Sequence, residues 1–343
     1  MLKAGIVGIT GYAGVEIYRL LKHHPEVDDL YLVSHSKAGQ DLSDVYPQFA
    51  AGSRLEKYDL EKLKKCDIVF TALPHGVSQD RVAELRGANL KVIDLSGDFR
   101  YKNQSVYEKW YNQEHRYPEL LQESVYGLVE LNREQLQKAD LIANPGCYPT
   151  VTILGLYPLL KKVRVRKGSI IVDAKSGISG AGSSPGKTTH YCEIDENVRA
   201  YGIGIHRHTS EIEKNMEYFT GLKDLKISFT PHLVPMKRGI LSTIYADIDE
   251  DISEKQLKNY YQEIYGECEF IDLLEGDSPD TKHVYASNYC QIGINFDTRT
   301  SRAVVVSAID NLGKGAASQA VQNMNVMFSF AEKCGLESRG IFP

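Results

Sequence analysis

The 343-residue sequence contains no CxxC pair, and its six cysteines (66, 147, 192, 268, 290 and 334) follow no regular spacing. In a chain of this length that absence excludes a disulfide framework. It points to reduced thiols in the cytoplasm, where one cysteine can serve as a nucleophile. No apolar stretch approaches the roughly 20 residues that cross a bilayer. The N-terminus, MLKAGIVGIT, lacks the apolar core and cleavage site of a signal peptide. An excess of one charge is missing as well: 40 Lys and Arg against 45 Asp and Glu leave a net −5, with the signs mixed along the chain. Neither nucleic acid nor an anionic membrane is therefore expected as a partner, whereas a small anion needs only local positive groups. Internal repeats and low-complexity segments are also absent.

What remains is an ordinary globular composition, 42% hydrophobic and 25% charged, in a chain long enough for two cores. In the first half, apolar runs at 4–9, 31–34, 67–73, 91–95 and 140–143 alternate with helical patterns such as 12–23. That texture predicts a Rossmann-type parallel sheet covered on both faces. After Pro158 the pattern changes. Strands are expected at 169–174 and 302–310, and runs 226–230 and 239–248 read as a pair, giving a second, mostly antiparallel sheet. From Lys314 the sequence is strongly helical, and that helix is expected to pack on the first domain.

Gly8, Gly11 and Gly14 form a GxxGxxG turn between the first strand and the first helix. Glycines there let the backbone approach a pyrophosphate seated on the helix N-terminus. A plain structural turn is the competing reading, and the βαβ context favours a dinucleotide. Sites that prefer NAD place an acid at the end of the second strand. Here that position reads Ser34-His35-Ser36-Lys37, which suits a 2′-phosphate and hence NADP, unless Lys37 is only a solvated loop residue.

Asn144-Pro145-Gly146-Cys147-Tyr148-Pro149-Thr150 follows a buried-type strand and opens an apolar helix over 151–160. Pro149 fits the first turn of that helix. A cysteine at the positive end of a helix is favoured as thiolate, and the carboxyl end of a parallel strand is where open α/β sheets do chemistry. Most cysteines of this kind of protein are buried core residues, but core cysteines seldom sit between Gly and Pro on a strand-to-helix turn. A thiolate beside nicotinamide can convert an acyl phosphate to a thioester, which hydride reduces to an aldehyde. Such chemistry needs an acid/base group and cations for the leaving phosphate.

Gly204-Ile205-His206-Arg207-His208-Thr209-Ser210-Glu211 supplies candidates. In an extended segment His206 and His208 would point one way and Arg207 the other. No third ligand at a familiar spacing accompanies them, so no metal is expected. Arg100, in Ser96-Gly97-Asp98-Phe99-Arg100, suits an anion clamp. Lys175 lies in a second glycine-rich stretch with Ser176 and Gly177. His75, after Pro74, ends a strand near where nicotinamide belongs, or caps the next helix.

Together these motifs resemble the N-acetyl-γ-glutamyl-phosphate reductase family. The matching pieces are GITGYAG, FTALPHG, VIDLSGDFR, NPGCYPT, DAKSGISGAG, HRHTSEIE, FTPHLVPMKRGI and DNLGKGAASQAVQNMN, in family order across 5–326. The resemblance implies reduction of N-acetyl-γ-glutamyl phosphate to the semialdehyde, with NADPH as cofactor and phosphate released. It implies Cys147 as nucleophile, His206 as the favoured acid/base with His208 close behind, and Arg100, Arg207 and Lys175 as contacts to substrate anions. Cofactor contacts are implied at Gly8, Thr10, Gly11, Tyr12, Ala13, Gly14, Ser34, Ser36, Lys37, Pro74, His75, Ser176, Gly177 and Asn311. Segments 1–146 and 312–343 are then the NADP-binding domain, 147–311 the catalytic and subunit-contact domain, and the assembly a homodimer or homotetramer. Three positions depart from the family pattern: Gly97, Val129 and Ser210, where the family usually has Ala, Pro and Pro.

Three rivals stand beside this reading. One is a related reductase of lysine synthesis that takes aminoadipyl phosphate from a small acidic carrier; it would want a basic face, which the net charge disfavours. Another is aspartate-semialdehyde dehydrogenase, which shares the chemistry but not the HRHTSEIE and PHLVPMKRG wording. The third is a sensor that binds NADPH without turnover, against which the intact thiol weighs.

Overall fold

Short apolar runs in the first 145 residues form six strands: β1 (Leu2–Val7), β2 (Val27–Val33), β3 (Ile68–Thr71), β4 (Lys91–Asp94), β5 (Val125–Tyr126) and β6 (Leu141–Ala143). The computed structural model describes residues 1–276 and 278–341. Its chain divides into two units, Met1–Pro145 with Ala316–Glu337, and Gly146–Gly315 with the segment from Ser338. In the first unit the six strands make one sheet in the order β2-β1-β3-β4-β6-β5, every pair parallel. The expected strands are present with ends shifted by a few residues; β5 has only two residues and left no run to read. Strands β3 and β6 are buried throughout, as a sheet covered on both faces requires. The order reverses at β1, flanked by β2 and β3, so a crevice opens at the carboxyl end of β1.

The C-terminal helix is shorter than its sequence pattern. A π-helical turn runs over Gly313–Ala317, and the α-helix proper is Ser318–Met327. It packs against helices Tyr12–Leu21 and Val129–Leu136. All ten of its residues are buried, and buried amides are pinned: the Asn323 amide donates to the Gly127 carbonyl (2.9 Å) and to Asn144 Oδ1 (3.1 Å).

The second unit holds seven strands: β7 (Ile171–Ser176), β8 (Arg199–Ala200), β9 (Ser228–Leu233), β10 (Ile240–Asp247), β11 (Ile271–Leu274), β12 (Cys290–Asp297) and β13 (Arg302–Ile309). They form a mixed sheet in the order β11-β12-β13-β10-β7-β9-β8. The pairs β11–β12 and β7–β9 are parallel; the others are antiparallel. The expected pairing of 226–230 with 239–248 does not occur, because β7 lies between β9 and β10. The chain passes from β7 to β9 through helix His208–Thr220, and such a crossover delivers a parallel neighbour rather than a hairpin. Strand β10 alternates regularly. Ile240, Ser242, Ile244 and Ala246 are buried, while Leu241, Thr243, Tyr245 and Asp247 are half-buried.

Helix Cys147–Lys162 lies on β10 and β13. It is apolar on every side, and nearly all of Tyr148–Leu160 is buried, as such a helix must be. Pro158 lacks an N–H, which deprives the Leu154 carbonyl of its helical donor. The Tyr265 hydroxyl supplies one at 2.8 Å, and that of Tyr261, one turn earlier, donates to the Gly155 carbonyl at 2.6 Å. Both tyrosines stand on helix Glu254–Tyr265, started by a capping box of Ser253 and Gln256. Among the described residues no helix is long and apolar enough to cross a membrane.

Replacing Tyr265 by Phe removes that donor while keeping the ring. We expect a loss of about 1–3 kcal/mol, read as a lower urea midpoint at unchanged slope. An unchanged midpoint would show that the Leu154 carbonyl does not depend on Tyr265.

Candidate active site

In the first unit, Gly8 ends β1 at φ +95°, where a side chain would run into the Ala72 carbonyl. Gly11 is the N-cap of helix Tyr12–Leu21, which has no side-chain cap and no acid in its first turn. A Cβ on Gly11 would meet only the Gly8 carbonyl, at 3.6 Å, so a side chain there would fill open space at the helix end. Thr10, Tyr12, Ala13 and Gly14 complete the turn. Thr10 Oγ1 and Ser34 Oγ lie 3.4 Å apart, joining the ends of β1 and β2, and the Lys37 N–H donates to Ser34 Oγ at 3.2 Å. Ser34 is buried; Ser36 and Lys37 are exposed. A bare helix N-terminus with a lysine beyond the second strand fits a dinucleotide diphosphate and a 2′-phosphate.

Pro74 is exposed after β3. His75 accepts the Gly97 N–H on Nδ1 at 2.7 Å, which leaves the proton of its neutral ring on Nε2. Tyr111 stands edge-on to His75, and its hydroxyl occupies the space a Cβ on Gly97 would need. The departure at Gly97 thus has a steric reason. Asp98 is fully buried and receives the Gly76 N–H on both oxygens (3.0 and 2.7 Å) and the Tyr107 hydroxyl at 2.8 Å. Burial, and then the charge of Asp94, raise its pKa to about 6. Arg100 donates from Nε to the Asn144 carbonyl (2.8 Å) and from Nη2 to the Leu95 carbonyl (2.9 Å), which fixes its guanidinium plane.

In the second unit, Cys147 is the first residue of its helix, partly exposed, after Gly146 as N-cap. A Cβ on Gly315 would come within 2.8 Å of Cys147 Cβ, so only glycine lets the π-helical turn pass beside the thiol residue. The segment 204–207 is not extended, so strand alternation does not apply to the two histidines. Arg207 has helical φ/ψ and His208 begins helix His208–Thr220. The two imidazoles still meet, with centroids 4.8 Å apart, each 5.9 Å from the Tyr148 ring. Tyr201 and Phe229 close on His206 at 5.4 and 5.5 Å. His206 Nδ1 accepts the His208 N–H at 3.2 Å. Burial, and then the neighbouring Arg207 charge, lower the His206 pKa to about 4. Arg207 itself is exposed.

The remaining expected residues of this unit lie at the end of β7 and just after β13. Lys175 pairs with Asp173 at 2.7 Å, which tempers it as an anion ligand. Ser176 Oγ donates to the Gly177 carbonyl, and Asn311 donates to Ser179 Oγ (2.9 Å) while accepting the Gly239 N–H (2.7 Å). Among the described residues no cluster of three or more metal-ligating side chains occurs.

The family model described as semialdehyde dehydrogenase, NAD binding domain, matches residues 3–139, and the one described as semialdehyde dehydrogenase, dimerisation domain, matches 147–311. An N-acetyl-gamma-glutamyl-phosphate reductase of Halothermothrix orenii is 52% identical over 100% of both chains. One of Caldicellulosiruptor bescii is 50% identical over 98% of both. The chain belongs to the N-acetyl-gamma-glutamyl-phosphate reductase family. Its fold extends further: aspartate semialdehyde dehydrogenase II of Vibrio cholerae, solved complexed with ASA, superposes with a TM-score of 0.74 at 18% identity, covering 96% of this chain and 98% of that one.

For a member of this reductase family, sequence reasoning overlooked several neighbours of the expected residues. Tyr148 has no signal beyond its place in NPGCYPT, yet its ring is what both histidines pack against. Gly315 carried no signal, since its requirement arises from contact with a residue 168 positions away. Asp98 sits inside SGDFR, but only the fold brings Gly76 and Tyr107 to its carboxylate.

The shift of His206 is measurable. Its ring should titrate near pH 4 in an NMR pH series of the folded chain, against 6.5 when unfolded. Folding favours the neutral ring, so His206 imposes no penalty above pH 6.5, and one that grows as pH falls toward 4. Titration at 6.5 would contradict its enclosure.

Proposed function

We propose that the chain reduces N-acetyl-γ-glutamyl phosphate to N-acetylglutamate semialdehyde at the expense of NADPH, with Cys147 as the covalent nucleophile. The observation that carries this reading is the thiol at the first position of a 16-residue helix whose next residue, Tyr148, packs against two imidazoles in the same unit. A helix N-terminus stabilises negative charge on sulfur. The thiolate attacks the acyl carbon, the bond from that carbon to the phosphate oxygen breaks, and phosphate leaves a thioester on Cys147. NADPH, when bound, supplies the hydride that reduces this thioester. The resulting thiohemiacetal then loses its hydroxyl proton, the C–S bond breaks, and the aldehyde departs as Cys147 thiolate returns.

His206 serves as the acid/base, with His208 close behind it. With Nδ1 accepting the His208 N–H, a neutral His206 carries its proton on Nε2, which supports a donor role for it. Arg100, Arg207 and Lys175 contact the substrate anions. Gly8, Thr10, Gly11, Tyr12, Ala13 and Gly14 would hold the cofactor diphosphate and Ser34, Ser36 and Lys37 its 2′-phosphate; Pro74, His75, Ser176, Gly177 and Asn311 are the further cofactor contacts. Residues 1–146 and 312–343 thus serve as the NADP-binding domain and 147–311 as the catalytic one. Six free thiols suit a reducing compartment, and we place the enzyme in the cytoplasm. The face of the second sheet bearing Leu241, Tyr245, Val304 and Val306 is half-buried in the single chain. We assign it to contact with a second copy, in a homodimer or a homotetramer built from such pairs.

The test runs the reaction backwards: phosphate-dependent oxidation of N-acetylglutamate semialdehyde with NADP, comparing wild type with Cys147→Ser. NADPH formation by wild type and at least a roughly thousandfold loss in the variant supports the reading. A silent wild type would transfer the reading to the carrier-bound aminoadipyl substrate, and an active variant would remove Cys147 from the mechanism.

A further inference from the structure

The second unit contains a fully buried carboxylate for which the reaction above has no use. Glu211 lies in the first turn of helix His208–Thr220 with no exposed surface. One of its oxygens accepts the Gly146 N–H at 2.9 Å. Gly146 is the N-cap of the Cys147 helix and has no side chain with which to cap it. The Gly146 carbonyl is occupied from within that helix, by the N–H (2.9 Å) and the hydroxyl (3.0 Å) of Thr150. The peptide N–H immediately before the nucleophile therefore takes its partner from the other helix.

Burying a carboxylate costs several kcal/mol of lost hydration. Two packed helices would cohere without it, through the apolar contacts that Ile212 and Met216 make with their surroundings. What apolar packing does not set is direction. It tolerates small rotations and slides, whereas a hydrogen bond to one peptide group does not. The residue that Glu211 holds is adjacent to Cys147 on one helix, and Glu211 itself follows His206 and His208 by five and three residues on the other. Across the Cys147 turn, Gly315 passes so close that a Cβ on it would come within 2.8 Å of Cys147 Cβ. The thiol residue is thus held on its peptide side by Glu211, with no room for a side chain at position 315 on its other side.

We propose that Glu211 is a positioning residue for the nucleophile: its hydrogen bond to the Gly146 N–H fixes the aim of Cys147 relative to the two histidines. The proposal rests on Cys147 being the nucleophile. It attributes the effect to the hydrogen bond rather than to the charge, since a neutral amide oxygen accepts the same N–H.

The test uses the full-length enzyme with Glu211→Ala, Glu211→Gln and Glu211→Asp, and Cys147→Ser in parallel. Turnover is measured together with the rate of Cys147 alkylation by iodoacetamide from pH 6 to 9, read by peptide mass spectrometry, with exposed Cys192 as internal control. Glu211→Ala should lower kcat by about tenfold to a hundredfold with the KM for NADPH little changed. It should alter the pH profile of alkylation at Cys147 and not at Cys192. Glu211→Gln should recover most of both losses. If Glu211→Ala only lowers the melting temperature, while kcat per folded molecule and the Cys147 profile stay as in wild type, Glu211 is scaffold and the proposal is wrong. Should the alanine variant not fold, Glu211→Asp withdraws the carboxylate by one methylene and must reproduce the change in alkylation; an unchanged profile there overturns the proposal. An active Cys147→Ser enzyme would remove the nucleophile on which the proposal rests, an outcome that the alkylation profiles do not depend on.

Discussion

A helix that is apolar on all sides cannot lie at a surface, and the chemistry of this chain follows from where helix 147–162 is enclosed. Strands β10 and β13 take one side of it, helix His208–Thr220 another, and Tyr261 and Tyr265 reach its backbone. Enclosure fixes the helix as a rod, so its first residue is fixed too. Cys147 is that residue, with Gly315 passing beside it where a side chain would collide and Glu211 bonded to the N–H of Gly146 before it. The thiol is the end of a packed element rather than part of a mobile loop, as effective covalent catalysis requires.

The histidines show how packing alters chemistry that residue type alone would suggest. A free imidazole is half-charged near pH 6.5. His206, enclosed by Tyr148, Tyr201 and Phe229 and next to Arg207, stays neutral down to about pH 4. Its Nδ1 is already committed to the His208 N–H. Two residues that look equivalent in HRH are thus set apart by enclosure and one hydrogen bond.

Much of the first unit was legible in the sequence. Its strands are parallel and buried on both faces, so each reads as an uninterrupted apolar run ended by Gly, Pro or Asn, and only the two-residue β5 left no trace. The second unit was harder. Strand β9 follows a helical crossover and lies beside β7, whereas a purely local reading pairs it with the next run in sequence. The edge strands β8 and β11 are short, and β12, at eight residues, has a weaker apolar pattern than its neighbour β13. At the site, Cys147, the histidine pair and the glycine turn were visible because each has a local signature: a turn, a doublet, a spacing. Glu211, Tyr148, Gly315 and Asp98 act through contacts that only the fold creates, and their neighbours in sequence announce none of them.

The most direct test of the central claim, that Cys147 carries the acyl group, is to mix the enzyme with N-acetyl-γ-glutamyl phosphate in the absence of NADPH, quench in acid, and map the protein by peptide mass spectrometry. The account predicts an N-acetylglutamyl adduct on the peptide containing Cys147, lost on addition of NADPH or hydroxylamine. An unmodified Cys147 peptide, or an adduct on another cysteine that NADPH discharges, would contradict it.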